Sequence, residues 1–343
     1  MAATPKSDLV VAVTGPTGTF GFGLIPLLQA DPRIAHVVGI ARRPFDPADH
    51  GWNKMEYRRG DVRDPAGLQR ALRGADVVVH LAFLIAGTAT RATLRATNVE
   101  GTLNAVRATA AVGATRFVFA SSVAAYGFHP DNPVGMTEDW PVRPAARLFY
   151  AREKAELEHL LDEETGRHAG LSVYLLRPSI VLGPHAVGAK DPLPGPLAAL
   201  LRRLAGGVSR LPVRLPAPVP RLPVQFVHEE DVGQALLQCI VGAGPPGAYN
   251  IAGDGVLSAT DVVREIGLAP VPVPGGLARV PARAVAALAG LPFIPPAAAW
   301  AEVLTHPAIM DTTKAKRELG WSPRYSGLEA LRATLGAGRA KAD

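Results

Sequence analysis

The stretch Val13-Thr-Gly-Pro-Thr-Gly-Thr-Phe-Gly21 decides the fold. Gly15, Gly18 and Gly21 follow the Val-rich run LVVAV (9–13) and open a helical stretch, FGLIPLLQA (22–30). Glycine allows the tight turn and lets the backbone come close to a pyrophosphate. The opening of a helix supplies free N–H groups and the positive end of its dipole. Strand, glycine turn and helix in this order predict a dinucleotide site.

The rest of the first half agrees. HVVGIA (36–41), EYRRGDV (56–62), DVVVHLA (76–82) and RFVFASS (116–122) read as strands. They are rich in Val and do not alternate, the pattern of strands covered on both faces. Helical stretches separate them: PAGLQRALRG (65–74) and NVEGTLNAVRATAAVG (98–113). This repetition predicts an α/β, Rossmann-type doubly wound parallel sheet. A long helix over 149–166, a strand in 171–184 and a strand-helix unit over 224–241 extend it. Residues 185–223 are Pro-rich without a period, and the expectation is a segment that covers substrate.

Composition narrows the function. Of 343 residues, 36 are basic and 30 acidic, a net charge of +6, and the basic residues are scattered. A nucleic-acid binder would carry a denser stripe, so none is expected as a partner. Cys239 is the single cysteine, which excludes an internal disulfide and a thiolate zinc site and suits a reducing, cytoplasmic setting. Its apolar surroundings predict buried packing. Three long runs lack charge (Leu9–Ala30, Val232–Gly253 and Ala284–Ala301), but Gly or Pro interrupts each, and no integral membrane segment is read from them. Peripheral membrane contact through the last is left open. Glu229, Glu230 and Asp231 stand side by side and so point apart. They read as acids at a helix start, and no metal site is expected.

At the end of the second strand, an acid would bind the ribose hydroxyls of NAD. Ala41-Arg42-Arg43 stands there instead. Two guanidiniums suit a 2′-phosphate and favour NADP over NAD; the other reading is a solvated basic turn. Tyr150 and Lys154, in YAREK, are one helical turn apart and share a face.

Together these motifs resemble an extended short-chain dehydrogenase/reductase of the NAD-dependent epimerase/dehydratase family. TGPTGTFG (14–21) resembles TGxxGxxG, and GDVRD (60–64), HLAF (80–83), NVEGTLN (98–104), SSVAAYG (121–127), YAREK (150–154), LRPSIVLGP (176–184), FVHEEDV (226–232), YNIAG (249–253) and TTKAKRELGWSP (312–323) follow in the family's order. The resemblance implies Ser122, Tyr150 and Lys154 as catalytic residues. It implies cofactor contacts at Gly15, Thr17, Gly18, Thr19, Phe20, Gly21, Arg42, Arg43, Asp61, Val62, Leu81, Ala82, Asn98, Tyr150, Lys154, Pro178 and Ile180. It further implies a smaller, discontinuous C-terminal substrate domain (179–223 plus 253–338) beside a cofactor domain (1–178 plus 224–252), a small-molecule substrate, and dimers of the kind common in the family.

Tyrosine ordinarily titrates near ~10, and a lysine ammonium beside it would stabilise the phenolate. At ~4 Å and an effective dielectric of ~20, that attraction is on the order of 4 kcal/mol before desolvation. The Lys154 ammonium is therefore expected to bring Tyr150 down toward neutral. Glu153 stands where the family often has Ser or Thr, and is expected off the Tyr/Lys face. His185 reads as a loop histidine at the cleft mouth, His228 as a structural hydrogen-bonder, and His80 as packed near the cofactor. Three functions remain open: an NADP(H)-dependent reductase or dehydrogenase, an epimerase with retained NAD, and a binding protein without chemistry.

Overall fold

The structure, a computed structural model, describes residues 8–85, 90–186, 214, 216–274 and 306–339. Strands β1 (Leu9–Thr14), β2 (Ile34–Ala41), β3 (Met55–Arg59), β4 (Val77–His80), β5 (Arg116–Ala120) and β6 (Ser172–Pro178) form a sheet with a later strand, Gly247–Ile251. Short strands lie between: β7 (Ile180–Leu182), β8 (Pro216–Pro220), β9 (Pro223–Val224) and β10 (Phe226–His228). Gly247–Ile251 is therefore β11, and β12 (Leu257–Ser258) and β13 (Ala269–Val273) follow. The large sheet has the order β11-β6-β5-β4-β1-β2-β3. Every pairing in it is parallel. The order reverses between β1 and β4, so a crevice opens at their carboxyl ends.

Helices cover both faces: α1 (Thr19–Ala30), α2 (Pro65–Ala71), α3 (Arg91–Arg95), α4 (Gly101–Ala111), α5 (Phe149–Arg167), α6 (Glu229–Val241), α7 (Ala259–Glu265), α8 (Thr313–Glu318) and α9 (Gly327–Arg339). The unbroken Val runs are explained by two cores. Val11, Val13, Val77, Val79 and Val118 pack into one layer with α1 and α6. Ala12, Val78, Phe117 and Phe119 pack into the other with α2, α4 and α5. Side chains still alternate, but both sides are dry.

Some boundaries differ from the sequence expectation. The strand expected over 56–62 stops at Arg59, because Asp61 turns back to bond Arg63 and Asp64 caps α2 through the Gly67 N–H. The helix expected over 98–113 is preceded by a π-helical turn, Ala96–Glu100, which carries Asn98. Such turns displace one residue from the helical ladder and often re-aim a side chain. Residues 187–213 and 215 of the expected covering segment, including Arg202, Arg203 and Arg210, lie outside the described residues, as does the run Ala284–Ala301. Among the described residues, no helix is long and apolar enough to cross a membrane.

α1 and α6 touch backbone to backbone. A Cβ on Gly23 would lie 2.1 Å from the Glu229 carbonyl oxygen, and one on Gly233 would lie 2.1 Å from the Gly23 oxygen. The contact sets how near α6 lies to the glycine turn that opens α1. Gly23→Ala is therefore expected to destabilise the protein by about 1–3 kcal/mol, because backbone on both sides must move apart. A denaturant midpoint equal to wild type would contradict this packing account.

Candidate active site

The glycine turn is built from bare backbone. Gly15 adopts φ +69, and a Cβ there would meet the Ala82 backbone at 3.0 Å. A Cβ on Gly21 would lie 1.9 Å from the Pro16 carbonyl oxygen. Gly18 occupies the N-cap of α1 with no side-chain cap, so Thr19, Phe20 and Gly21 form a first turn whose N–H groups point out of the helix end. Thr17 is exposed in the turn, and Leu81 and Ala82 are half-buried where β4 ends. This narrow turn of bare backbone has the chemistry to hold a pyrophosphate.

At the outer end of the crevice, Arg42, Arg58, Arg59 and Arg70 share a cavity of about 480 Å³ with Asp61 and Asp64. Arg43 is exposed and does not line it. Asp61 is held by Arg63 at 2.6 Å, and this hydrogen bond keeps its carboxyl below the usual range. Val62 is buried beside it. Arg58, Arg59 and Arg70 were not anticipated; the run Tyr57-Arg-Arg was readable, but only pairing of β2 with β3 brings it to Arg42.

The three expected catalytic residues converge. β5 ends at Ala120, and Ser122 caps the following 3₁₀ turn by accepting from the Ala124 N–H at 3.1 Å. Ser122 lies beside the Tyr150 hydroxyl and favours its ionised form. Tyr150 is 8% exposed and meets Phe83 edge-on, with centroids 5.7 Å apart. Lys154 is 3% exposed; its Nζ donates to the Ala120 carbonyl at 2.6 Å and lies 3.6 Å from the Phe83 centroid. Pro178 is buried at the end of β6, while Ile180 is 39% exposed at the start of β7.

Two expectations need correcting. Burial pushes the Tyr150 hydroxyl above its ordinary value, and the neighbouring Ser122 opposes this. Lys154 does not bring it down, because its ammonium is turned toward Ala120 and the Phe83 ring. Burial also lowers Lys154 to about 7, against the attraction of Glu158 and Glu153. Glu153, in turn, is not off the site. It is buried and accepts from Asn98 Nδ2 at 2.8 Å, while Asn98 also bonds the Leu84 N–H and carbonyl. Its position three residues after Tyr150 could have signalled this.

Beneath Lys154 lies a buried polar column. Glu158, one turn further along α5, accepts from Ser121 and from Arg177 Nη2 at 2.6 Å. Arg177 Nη1 donates to the Tyr126 hydroxyl at 2.6 Å, which donates to Asn250 Oδ1 at 2.8 Å. Burial pushes Tyr126 up to about 12. His80 is fully enclosed between Thr14 and Thr102 hydroxyls, and burial lowers it to about 3, so it stays neutral. His228 accepts from the Glu230 N–H at 3.3 Å and stacks on Tyr325. Cys239 is buried, as expected, and burial raises its thiol. Glu229, Glu230 and Asp231 do open α6, and they diverge: to His185, to the Tyr325 hydroxyl, and to the Arg324 and Tyr325 N–H groups.

Comparison with known proteins gives a consistent picture. Residues 11–252 match the model of the NAD dependent epimerase/dehydratase family. An uncharacterized protein of Mycobacterium tuberculosis is 29% identical over 347 residues, spanning 95% of this chain and 83% of that one. Sterol demethylase protein B of Methylococcus capsulatus is 33% identical over 178 residues, 51% of this chain and 52% of that protein. Among solved structures, the Thermus thermophilus UDP-glucose 4-epimerase in complex with NAD superposes with a TM-score of 0.69 at 23% identity, covering 96% of this chain and 99% of that one. MoeE5 in complex with UDP-glucuronic acid and NAD gives 0.68 at 24%, with the same coverage.

The Lys154 shift predicts a pH dependence of stability. Its folded value, about 7, lies below the ordinary 10.5, so between these limits the unfolded chain binds more protons. Stability from this group therefore rises as pH goes from 7 to 10.5 and is least below 7. Lys154→Met should remove that slope. Chemical denaturation of both proteins at several pH values checks it, and parallel curves would contradict it.

Proposed function

The chain belongs to the NAD-dependent epimerase/dehydratase family, and on that premise we propose that it is an NADP(H)-dependent reductase or dehydrogenase acting on a carbonyl/alcohol pair. It is an enzyme of the extended short-chain dehydrogenase/reductase type. The observation that carries the proposed chemistry is the convergence of Ser122, Tyr150 and Lys154 at the carboxyl end of β5, where Lys154 Nζ bonds the Ala120 carbonyl and lies 5.7 Å from the Tyr150 ring centroid. When bound, the dinucleotide would supply or accept the hydride. Gly15, Gly18, Thr19, Phe20 and Gly21 would hold its pyrophosphate by backbone, Asp61 and Val62 would lie toward the adenine, and Leu81, Ala82, Asn98, Pro178 and Ile180 would line its path.

The chain's own residues then divide the work. Ser122 fixes the substrate oxygen against Tyr150. Tyr150, kept protonated by its burial, gives its proton to that oxygen as the carbonyl is reduced, and takes it back in the reverse direction. Lys154, anchored by the Ala120 carbonyl and on the same helical face as Tyr150, would hold the nicotinamide ribose. Phe83 and Phe149 keep water from the reacting atoms.

The arginines of the 480 Å³ cavity support NADP, since Arg42, Arg59 and Arg70 together suit a 2′-phosphate. The Methylococcus relative, named for sterol demethylation and matched over half of each chain, supports a sterol-like, apolar substrate. A second reading, an epimerase with retained NAD acting on a nucleotide sugar, is favoured by the solved neighbours that hold NAD and UDP-sugars. We read 179–223 plus 253–338 as the substrate domain and 1–178 plus 224–252 as the cofactor domain, in an assembly that includes a homodimer.

Two measurements test this. Denaturing the purified protein identifies any released dinucleotide, and titration with NADPH and NADH ranks them. NADPH is expected to bind more tightly, and Arg42→Ala to weaken it about tenfold while sparing NADH. Stoichiometric release of NAD would instead establish the epimerase reading. Tyr150→Phe should lower turnover by about 10²-fold or more without loss of dinucleotide binding. NADPH oxidation across apolar ketones, compared with UDP-sugars, reads this out; a variant as active as wild type would remove Tyr150 from the chemistry.

A further inference from the structure

Residues 183–186, which follow β7, lie against the opening turn of α1 and are fastened there by side chains that the proposed chemistry does not use. The Gly183 N–H donates to the Thr334 hydroxyl of α9 at 2.8 Å. Gly183 adopts φ +145, and a Cβ there would fall 2.6–2.7 Å from the side chain of Glu229. Only glycine leaves room for that carboxylate to pass beneath the loop. Glu229, the first residue of α6, is 3% exposed. It accepts from the His185 N–H at 3.0 and 3.3 Å and meets His185 Nδ1 at 2.7 Å.

His185 completes the fastening on α1. Its ring lies flat on Phe22, with centroids 4.2 Å apart and planes 12° apart. Its carbonyl accepts from the Thr19 hydroxyl at 2.8 Å. One loop residue thus joins the N-terminus of α6 to the first turn of α1. A buried carboxylate is costly without donors, and His185 supplies both a backbone and a ring N–H to this one. Opening the loop would return Glu229 to water.

We propose that Glu229 and His185 form a latch that holds residues 183–186 across the opening turn of α1, so that a dinucleotide seated on that turn leaves only when the latch opens. The latch rests on the coenzyme reading above and adds to it a residence time set by two side chains that do not touch the reacting atoms. Phe22 is the surface on which the latch closes, and Thr334 ties the same loop to the C-terminal helix.

Stopped-flow displacement of NADPH, and separately of NADH, from the intact protein tests this without any substrate. His185→Ala and Glu229→Gln should each raise the dissociation rate constant about tenfold, the scale of a lost hydrogen bond to a charged group. The double variant should release no faster than either single one, because both remove the same contact. Thermal unfolding identifies a variant that has lost its fold. If Glu229→Gln is such a variant, His185→Ala, on a partly exposed loop, decides the matter alone. Release rates within twofold of wild type, or single effects that multiply in the double variant, would overturn the latch while leaving the coenzyme reading intact. A wild-type protein that binds neither dinucleotide would overturn both.

Discussion

The face that carries Ser122, Tyr150 and Lys154 rests on the buried ion pair between Glu158 and Arg177. Neither charge could be enclosed alone, and removing one partner of such a pair typically costs about 3–5 kcal/mol. Its geometry is correspondingly complete. Arg177 places two nitrogens on Glu158 and turns a third to Tyr126 and the Glu138 carbonyl. Through these bonds one pair joins α5, the end of β5, β6 and β11. Lys154 sits one turn above Glu158 on α5, so the charge that keeps the lysine from neutralising altogether also fixes the helix that carries Tyr150.

Around that pair the site is arranged by desolvation more than by direct pairing. Burial raises Tyr150, lowers Lys154 to about 7 and keeps His80 neutral. A neutral, hydrogen-bonded His80 between Thr14 and Thr102 is a structural tie between β4, β1 and α4. Glu153 shows the same economy: burial raises its carboxyl, and its bond to Asn98 connects the π-helical turn to α5 beside Tyr150 and Lys154. The polar groups here serve first to fix one geometry, and their protonation follows from that enclosure.

The glycine-turn end is organised differently, by backbone. Gly15 and Gly21 are required because other backbone occupies the space of a side chain, and Gly23 and Gly233 bring α6 against α1 for the same reason. That closeness puts Glu229 within reach of the loop that carries His185. Charge at the far end is supplied by arginines from β3, α2 and the turn after β2, which no single stretch of chain contains.

The sequence by itself determined the sheet, the glycine turn and the shared helical face of Tyr150 and Lys154. These depend on local rules: dry Val runs make two-sided strands, spaced glycines make a turn, and residues four apart share a helical face. It also located Cys239 in the core and the acids 229–231 at a helix start, again from neighbours along the chain. The tertiary structure alone decided what those residues meet. It turned the Lys154 ammonium toward Ala120, brought Glu153 to Asn98, set Arg58, Arg59 and Arg70 beside Arg42, and closed Glu229 on His185. Each of these contacts joins residues from different elements or depends on which way a buried side chain turns, and so depends on the packing of helices on the sheet rather than on spacing along the chain.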